Sequence, residues 1–173
     1  MGKMPRLEGI IPALLTPFTS EEEIDEEGLR TTIRYMLDSG VHGVMCCGST
    51  GEAASLSHEE RKRIISIVVE EVNGKIPVIA GTGAPSTRET IKLTKDAKEA
   101  GADVAMVVTP YYLIPNAEGL YKHYEAIDES VDIPIISYNI PQHTGTNIDL
   151  ETLSRLAKLK NFIGTKDSSG NLS

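Results

Sequence analysis

A lysine at position 166 closes an apolar run, Phe162-Ile163-Gly164-Thr165, that reads as a short buried strand, and a polar turn, Asp167-Ser168-Ser169-Gly170, follows it. An amine at the end of a buried strand is costly unless it is neutral or paired. A desolvated amine of lowered pKa can attack a carbonyl and form a Schiff base, which would give Lys166 a use. On its own segment Lys166 reads more readily as a side chain snorkelling from a strand end to water. Tyr138, at the end of the preceding apolar run Pro134–Tyr138, is a second candidate. A hydroxyl there can shuttle protons if another hydroxyl holds it, Thr50 for example. Taken singly, Tyr138 reads more readily as a tyrosine at the rim of a core. Neighbouring strands lie ~4.8 Å apart, so a tyrosine and a lysine at adjacent strand ends can share one substrate.

Three further loops follow apolar runs. Gly48-Ser49-Thr50-Gly51-Glu52 brackets two hydroxyls with glycines. Its backbone N–H groups could hold a carboxylate, or it could be an ordinary glycine-rich turn. It is not a nucleotide P-loop, because no Gly-Lys-Ser/Thr follows at the required spacing. Gly81-Thr82-Gly83-Ala84-Pro85-Ser86 is half of a dinucleotide fingerprint, with Ser86 where the third glycine belongs. Thr109-Pro110-Tyr111-Tyr112 places two aromatics at a strand end. The histidines are His42, His58, His123 and His143; they form no HExxH pair and no Cys/His/Asp ligand spacing, so no metal site is expected.

These loops need elements to carry them, and the chain supplies two alternating patterns. Apolar runs at Gly9–Leu15, Gly43–Cys47, Pro77–Ala80, Val104–Val108, Pro134–Tyr138 and Phe162–Thr165 read as strands of a parallel sheet covered on both faces. Between them, helical patterns run over about Glu26–Asp38, His58–Val72, Thr87–Ala100, Glu118–Ser130 and Leu150–Lys158. Ser57 before His58-Glu59-Glu60, and Ser86 three residues before Glu89, have the spacing of capping boxes. Gly40, Gly74 and Gly101 fall where left-handed helix caps are common. Strand and helix repeated five times, then a sixth strand, predict an α/β fold: a (β/α)8 barrel or an open doubly wound sheet. A full barrel takes ~250 residues, so the barrel reading makes residues 1–173 the N-terminal portion of a single TIM-barrel domain, with five βα units and a sixth strand.

Composition narrows the partners. The chain has 173 residues, 40% hydrophobic and 24% charged, and a net charge of -8, with no basic stripe to neutralise phosphates, so nucleic acid is not an expected partner. No apolar run approaches a membrane span. Gly9–Leu15 is interrupted by Pro12 and lacks a signal-peptide pattern, and Arg6 stands where an N-myristoylation signal on Gly2 needs Ser or Thr. Cys46 and Cys47, adjacent in an apolar run, read as buried thiols of a reducing compartment. The expected location is cytoplasmic.

Five segments in order, GSTGE, AGTG, TPYY, YNIP and GTKDSSG, give the chain a resemblance from Gly9 to its end to the dihydrodipicolinate synthase / N-acetylneuraminate lyase family of class I, Schiff-base aldolases. The resemblance implies a TIM barrel in which Lys166 condenses with the ketone of pyruvate or another 2-oxo acid, and Tyr138 is the general acid/base. It implies that Ser49 and Thr50 bind the 2-oxo acid carboxylate and that Thr50 links Tyr138 to Tyr112, a tyrosine that in family members commonly crosses a tight dimer interface. It also implies an aldehyde co-substrate, no cofactor, and a homo-oligomer, a dimer of dimers in full-length form. The pattern departs from the synthases at His143, where they usually carry an arginine for the second substrate's carboxylate. A shorter, largely neutral histidine cannot replace a bidentate guanidinium. Three readings follow: a dihydrodipicolinate synthase-like lyase, a 2-keto-3-deoxy sugar acid aldolase or other family lyase, or a catalytically incomplete fragment.

Overall fold

Proline decides where the first pairing stops. In the computed structural model of the chain, which describes residues 5–171, the segment expected as a first strand over Gly9–Leu15 is not one. It makes a single parallel bridge, Ala13 to Met45, with the Met45 N–H donating to the Pro12 carbonyl at 3.0 Å and the Leu14 N–H to the Met45 carbonyl at 2.8 Å. Pro12 has no N–H to continue the ladder. Gly2 and the outermost residues of the expected 1–173 domain lie outside the described residues.

Five parallel strands remain: β1 (Val44–Cys46), β2 (Val78–Gly81), β3 (Val104–Val108), β4 (Ile135–Asn139) and β5 (Phe162–Asp167). They alternate with helices α1 (Glu26–Asp38), α2 (His58–Val72), α3 (Thr87–Glu99), α4 (Ala117–Ser130) and α6 (Leu150–Leu156). A four-residue helix, α5 (Pro141–Thr144), follows β4 directly. The chain divides into two compact units, Met1–Gly81 with Asp96–Val104, and Thr82–Lys95 with Ala105–Ser173.

In the first unit β1 pairs in parallel with β2. The α2 start carries a complete capping box: the Ser57 hydroxyl accepts from the Glu60 N–H while the Glu60 carboxylate accepts from the Ser57 N–H. Ile64, Ile65, Ile67, Val68 and Val72 form its buried stripe, each worth ~1.5–3 kcal/mol on burial. Leu29 and Ile33 of α1 join the same core as Val44, Cys46 and Val78. Outside that core, Arg30 reaches Glu70 and Glu71, and Arg34 reaches Glu71 and Glu27. The AGTG glycines have a packing reason: a Cβ on Gly81 would fall on the Cys47 carbonyl. Cys46 and Cys47 are both buried; their thiols approach the Ile79 and Arg61 carbonyls, each at 3.8 Å. The neighbouring Cys47 thiol and burial together push the Cys46 thiol well above its ordinary pKa.

In the second unit β3 pairs with β4 and β4 with β5, all parallel. Asn116 caps α4 through the Gly119 N–H, and Leu120, His123, Tyr124 and Ile127 face inward at helical spacing. The Tyr124 hydroxyl donates to the Val107 carbonyl at 2.8 Å, tying α4 to β3. The buried His123 places Nδ1 2.9 Å from the Thr87 hydroxyl, while its Nε2 has no partner among the described residues. Burial lowers its pKa to about 4. The Asp128 carboxylate accepts the Asn161 N–H at 2.7 Å and so anchors the approach to β5. The strand expected to be buried at Phe162–Thr165 is only half-buried, with Thr165 exposed. It is paired on one side alone among the described residues.

Candidate active site

Strand register brings the two leading residues together. Tyr138 and Lys166 are Cα partners across β4 and β5, at the C-terminal ends of both strands. Alternation puts both side chains on one face. The Lys166 Nζ stands 3.8 Å from the centre of the Tyr138 ring, a cation–π distance. Tyr138 is buried and Lys166 half-buried, so the amine has an aromatic wall on one side and access from the other. The Tyr138 hydroxyl carries no hydrogen bond among the described residues.

Behind this pair, on the opposite face, lie bonds that motif reading missed. Ser137 and Thr165 join hydroxyls at 2.8 Å. Asn139, buried, donates through Nδ2 to Asp167 at 2.8 Å and to Asn147 at 3.0 Å, and its Oδ1 accepts the Ile148 N–H at 3.1 Å. The Ser168 N–H returns to the Asn139 carbonyl at 2.8 Å. Bonds from the Ser169 hydroxyl, Asn139 and the Ser169 N–H hold the Asp167 carboxyl below its usual range. The available signal was the strand period itself, which places Asn139 and Asp167 in register once Tyr138 and Lys166 are paired.

The remaining candidates are all exposed. His143 is exposed in α5, whose end at Gly145 turns at a φ of 70°. One α5 neighbour, Gln142, donates to the Ser168 carbonyl at 2.8 Å. Tyr112 is 91% exposed at a φ of 71°, an uncommon conformation for a bulky residue. Ser49 and Thr50, in the first unit, are exposed on a loop closed by the Gly51 and Ala53 N–H bonds to the Gly48 carbonyl. The Thr16 hydroxyl holds that loop through the Gly51 carbonyl at 2.8 Å. Neither the Ser49 nor the Thr50 hydroxyl has a hydrogen-bond partner among the described residues. The Gly83 half of the AGTG motif is a close approach as well: a Cβ there would sit 2.7 Å from the Val108 nitrogen. A cavity of about 410 Å³ lined by Ser86, Thr87, Leu113, Ile114 and His123 contains none of the residues proposed from the sequence. Among the described residues no cluster of three metal-ligating side chains occurs, and no helix is long and apolar enough to cross a membrane.

Comparison with known proteins gives one answer. The chain is 54% identical over 164 residues to the 4-hydroxy-tetrahydrodipicolinate synthase of Syntrophus aciditrophicus, covering 95% of this chain and 56% of that protein. It is 47% identical over 167 residues to the enzyme of the same name from Methanothermobacter thermautotrophicus, covering 96% and 59%. The crystal structure of dihydrodipicolinate synthase from Acinetobacter baumannii complexed with pyruvate matches with a TM-score of 0.94 at 44% identity, over 96% of this chain and 57% of that one. The chain thus spans little more than half the length of the relatives it matches, and over that portion the α/β expectation of a partial TIM barrel holds. Residues 6–173 match the model of the dihydrodipicolinate synthetase family, and to that family the chain belongs.

Proposed function

We propose that the chain carries the imine-forming part of a lyase that condenses pyruvate, or another 2-oxo acid, with an aldehyde. The observation that carries this reading is the Lys166 amine held 3.8 Å over the Tyr138 ring at two adjacent strand ends. Relatives named 4-hydroxy-tetrahydrodipicolinate synthase, and a similar structure holding pyruvate, support the substrate class.

In this reading the neutral Lys166 amine attacks the pyruvate C2 carbonyl. Loss of water from the carbinolamine leaves a protonated imine, with Tyr138 relaying the protons. The iminium withdraws electrons from C3, so a C3 proton leaves and the resulting enamine attacks the aldehyde carbon. Hydrolysis then frees the product and restores the amine. Ser49 and Thr50 bind the 2-oxo acid carboxylate, with Thr50 and Tyr112 completing the proton relay to Tyr138. Each step needs only an amine, hydroxyls and amide donors. The full-length protein would work as a homo-oligomer in the cytoplasm.

His143 favours a second reading. An exposed imidazole in the last turn of α5 offers a weaker hold on an aldehyde's carboxylate than a guanidinium fork would. That suits a 2-keto-3-deoxy sugar acid aldolase, or a related lyase, whose aldehyde is bound through hydroxyls.

Incubation with pyruvate and borohydride, followed by peptide mapping, tests the shared chemistry. A reduced adduct confined to Lys166 is the expected result; a folded sample without any adduct would overturn the reading. Turnover with aspartate semialdehyde against sugar-derived aldehydes separates the two lyase readings. An adduct without turnover of either aldehyde assigns the chain to the incomplete-fragment class.

A further inference from the structure

We infer that Asn139 is a positioning residue whose bond to Asp167 locks β5 in the register that sets Lys166 against Tyr138. The need for a lock is visible one step upstream. Ile135 pairs with Phe162 but Ile136 with Gly164, so Ile163 is the extra residue of a bulge. Bulges loosen pairing, and a one-residue slip would turn Lys166 to the opposite face. Among the described residues the pairing that sets the position of β5 is the one with β4, and it is this pairing that carries the bulge.

Two side-chain bonds bracket the reactive pair on the face away from it. Before it, the Ser137 hydroxyl meets the Thr165 hydroxyl at 2.8 Å; after it, Asn139 Nδ2 meets Asp167 at 2.8 Å. The first bond is between two rotatable hydroxyls, one of them on an exposed residue. The second is made by a buried amide whose other atoms are all engaged: Nδ2 also donates to Asn147 and Oδ1 accepts the Ile148 N–H. Asn139 is therefore oriented from the α5–α6 connection, and its free direction is fixed on Asp167, one residue beyond Lys166. A slipped β5 would leave a buried amide donor without its acceptor, which opposes the slip.

The inference rests on the Schiff-base reading only for its functional readout, and the test separates the two. Asn139→Ala, Asp167→Ala, Asn139→Asp and the double variant Asn139→Asp/Asp167→Asn are compared with the parent chain. The double variant reverses the pair: the carboxylate introduced at position 139 would accept from the amide introduced at position 167 and, after a flip of the Asn147 amide, from Asn147 as well. The Asp167→Ala change lies on an exposed side chain and opens no core cavity, which keeps the test valid if Asn139→Ala does not fold. The limiting rate of pyruvate trapping on Lys166 should fall roughly tenfold in each single variant, with half-saturation by pyruvate little changed. The double variant should recover to within about threefold of the parent. Single variants that trap at the parent rate, or a double variant no better than Asn139→Asp, overturn the proposal. If the parent itself traps no pyruvate, the Schiff-base reading falls and amide exchange over residues 164–168 decides the lock. Faster exchange in the single variants, restored in the double, supports it; unchanged exchange rejects it.

Discussion

Tyr138 and Lys166 face each other across β4 and β5 with the amine 3.8 Å above the ring. Imine formation moves protons at the amine, and the hydroxyl of the same tyrosine is the group proposed to relay them. Tyr138→Phe keeps the ring and removes only the oxygen. Pyruvate trapping should slow by about 10²–10⁴, while thermal stability stays nearly level because the hydroxyl has no hydrogen bond among the described residues. Stopped-time borohydride quenching gives the rate; a Phe variant that traps as fast as the parent takes Tyr138 out of proton transfer.

Lys166→Arg is the matching change at the amine. A guanidinium retains the charge and can stack on Tyr138, yet it does not form an imine with a ketone. Adduct formation should drop by at least roughly a thousandfold, with an unchanged circular dichroism spectrum. Lys158 and Lys160, which precede β5, act as internal controls for nonspecific reduction. An adduct that persists elsewhere in Lys166→Arg would move the nucleophile to another residue.

The glycines divide into those that are needed for space and those that are not. Gly83→Ala sets a methyl 2.7 Å from the Val108 nitrogen and 2.5 Å from its Cγ1, and overpacking of that kind destabilises by ~1–3 kcal/mol. Gly164→Ala, inside β5, meets nothing within 4 Å, and should stay within about 0.5 kcal/mol of the parent or add slight stability. Urea unfolding of both variants checks the contrast. Equal losses at the two positions would mean that close approach is not what Gly83 is for.

Stability should fall as the solution is acidified below the ordinary histidine range. Burial holds His123 at about 4 in the folded chain, against 6.5 for a free imidazole. Between those values the unfolded chain binds a proton that the folded chain refuses, so stability is complete above 6.5 and declines toward 4. The loss is on the order of 3 kcal/mol by pH 4. His123→Gln should be less stable at neutral pH yet show a shallower decline. A decline of the same slope in that variant would assign the effect to other groups.

The helices were legible because their ends are written in local chemistry. Ser57 and Glu60 close a capping box in fact as in pattern, and Ser86 accepts from the Glu89 N–H at 3.2 Å. The proximity of Tyr138 to Lys166 was legible too, since it needs only strand order and a common C-terminal end. Pro12 marks where reading failed at the start: Gly9–Leu15 has a strand's composition, but the ladder depends on a donor that proline lacks. α5 went unseen because four residues, Pro141-Gln142-His143-Thr144, cannot show a helical period. Asn139 escaped for another reason. Its bonds reach Asn147 and Ile148 in the α5–α6 connection and Asp167 in β5, and the last becomes visible only after Tyr138 and Lys166 have been paired across the two strands.

The neighbouring cysteines turn the first unit into its own clock. Cys46 and Cys47 sit in a solvent-excluded core, each thiol near a different backbone carbonyl, and the Cys46 thiol is held in its unreactive protonated form. A thiol reagent can therefore reach them only when β1 parts from its surroundings. Under fast labelling the tempo of modification equals the frequency of that opening; under slow labelling it is the fraction of time spent open multiplied by the rate at which an exposed thiol reacts. Two consecutive sulfurs in one peptide thus time the excursions of a parallel strand without any probe being added.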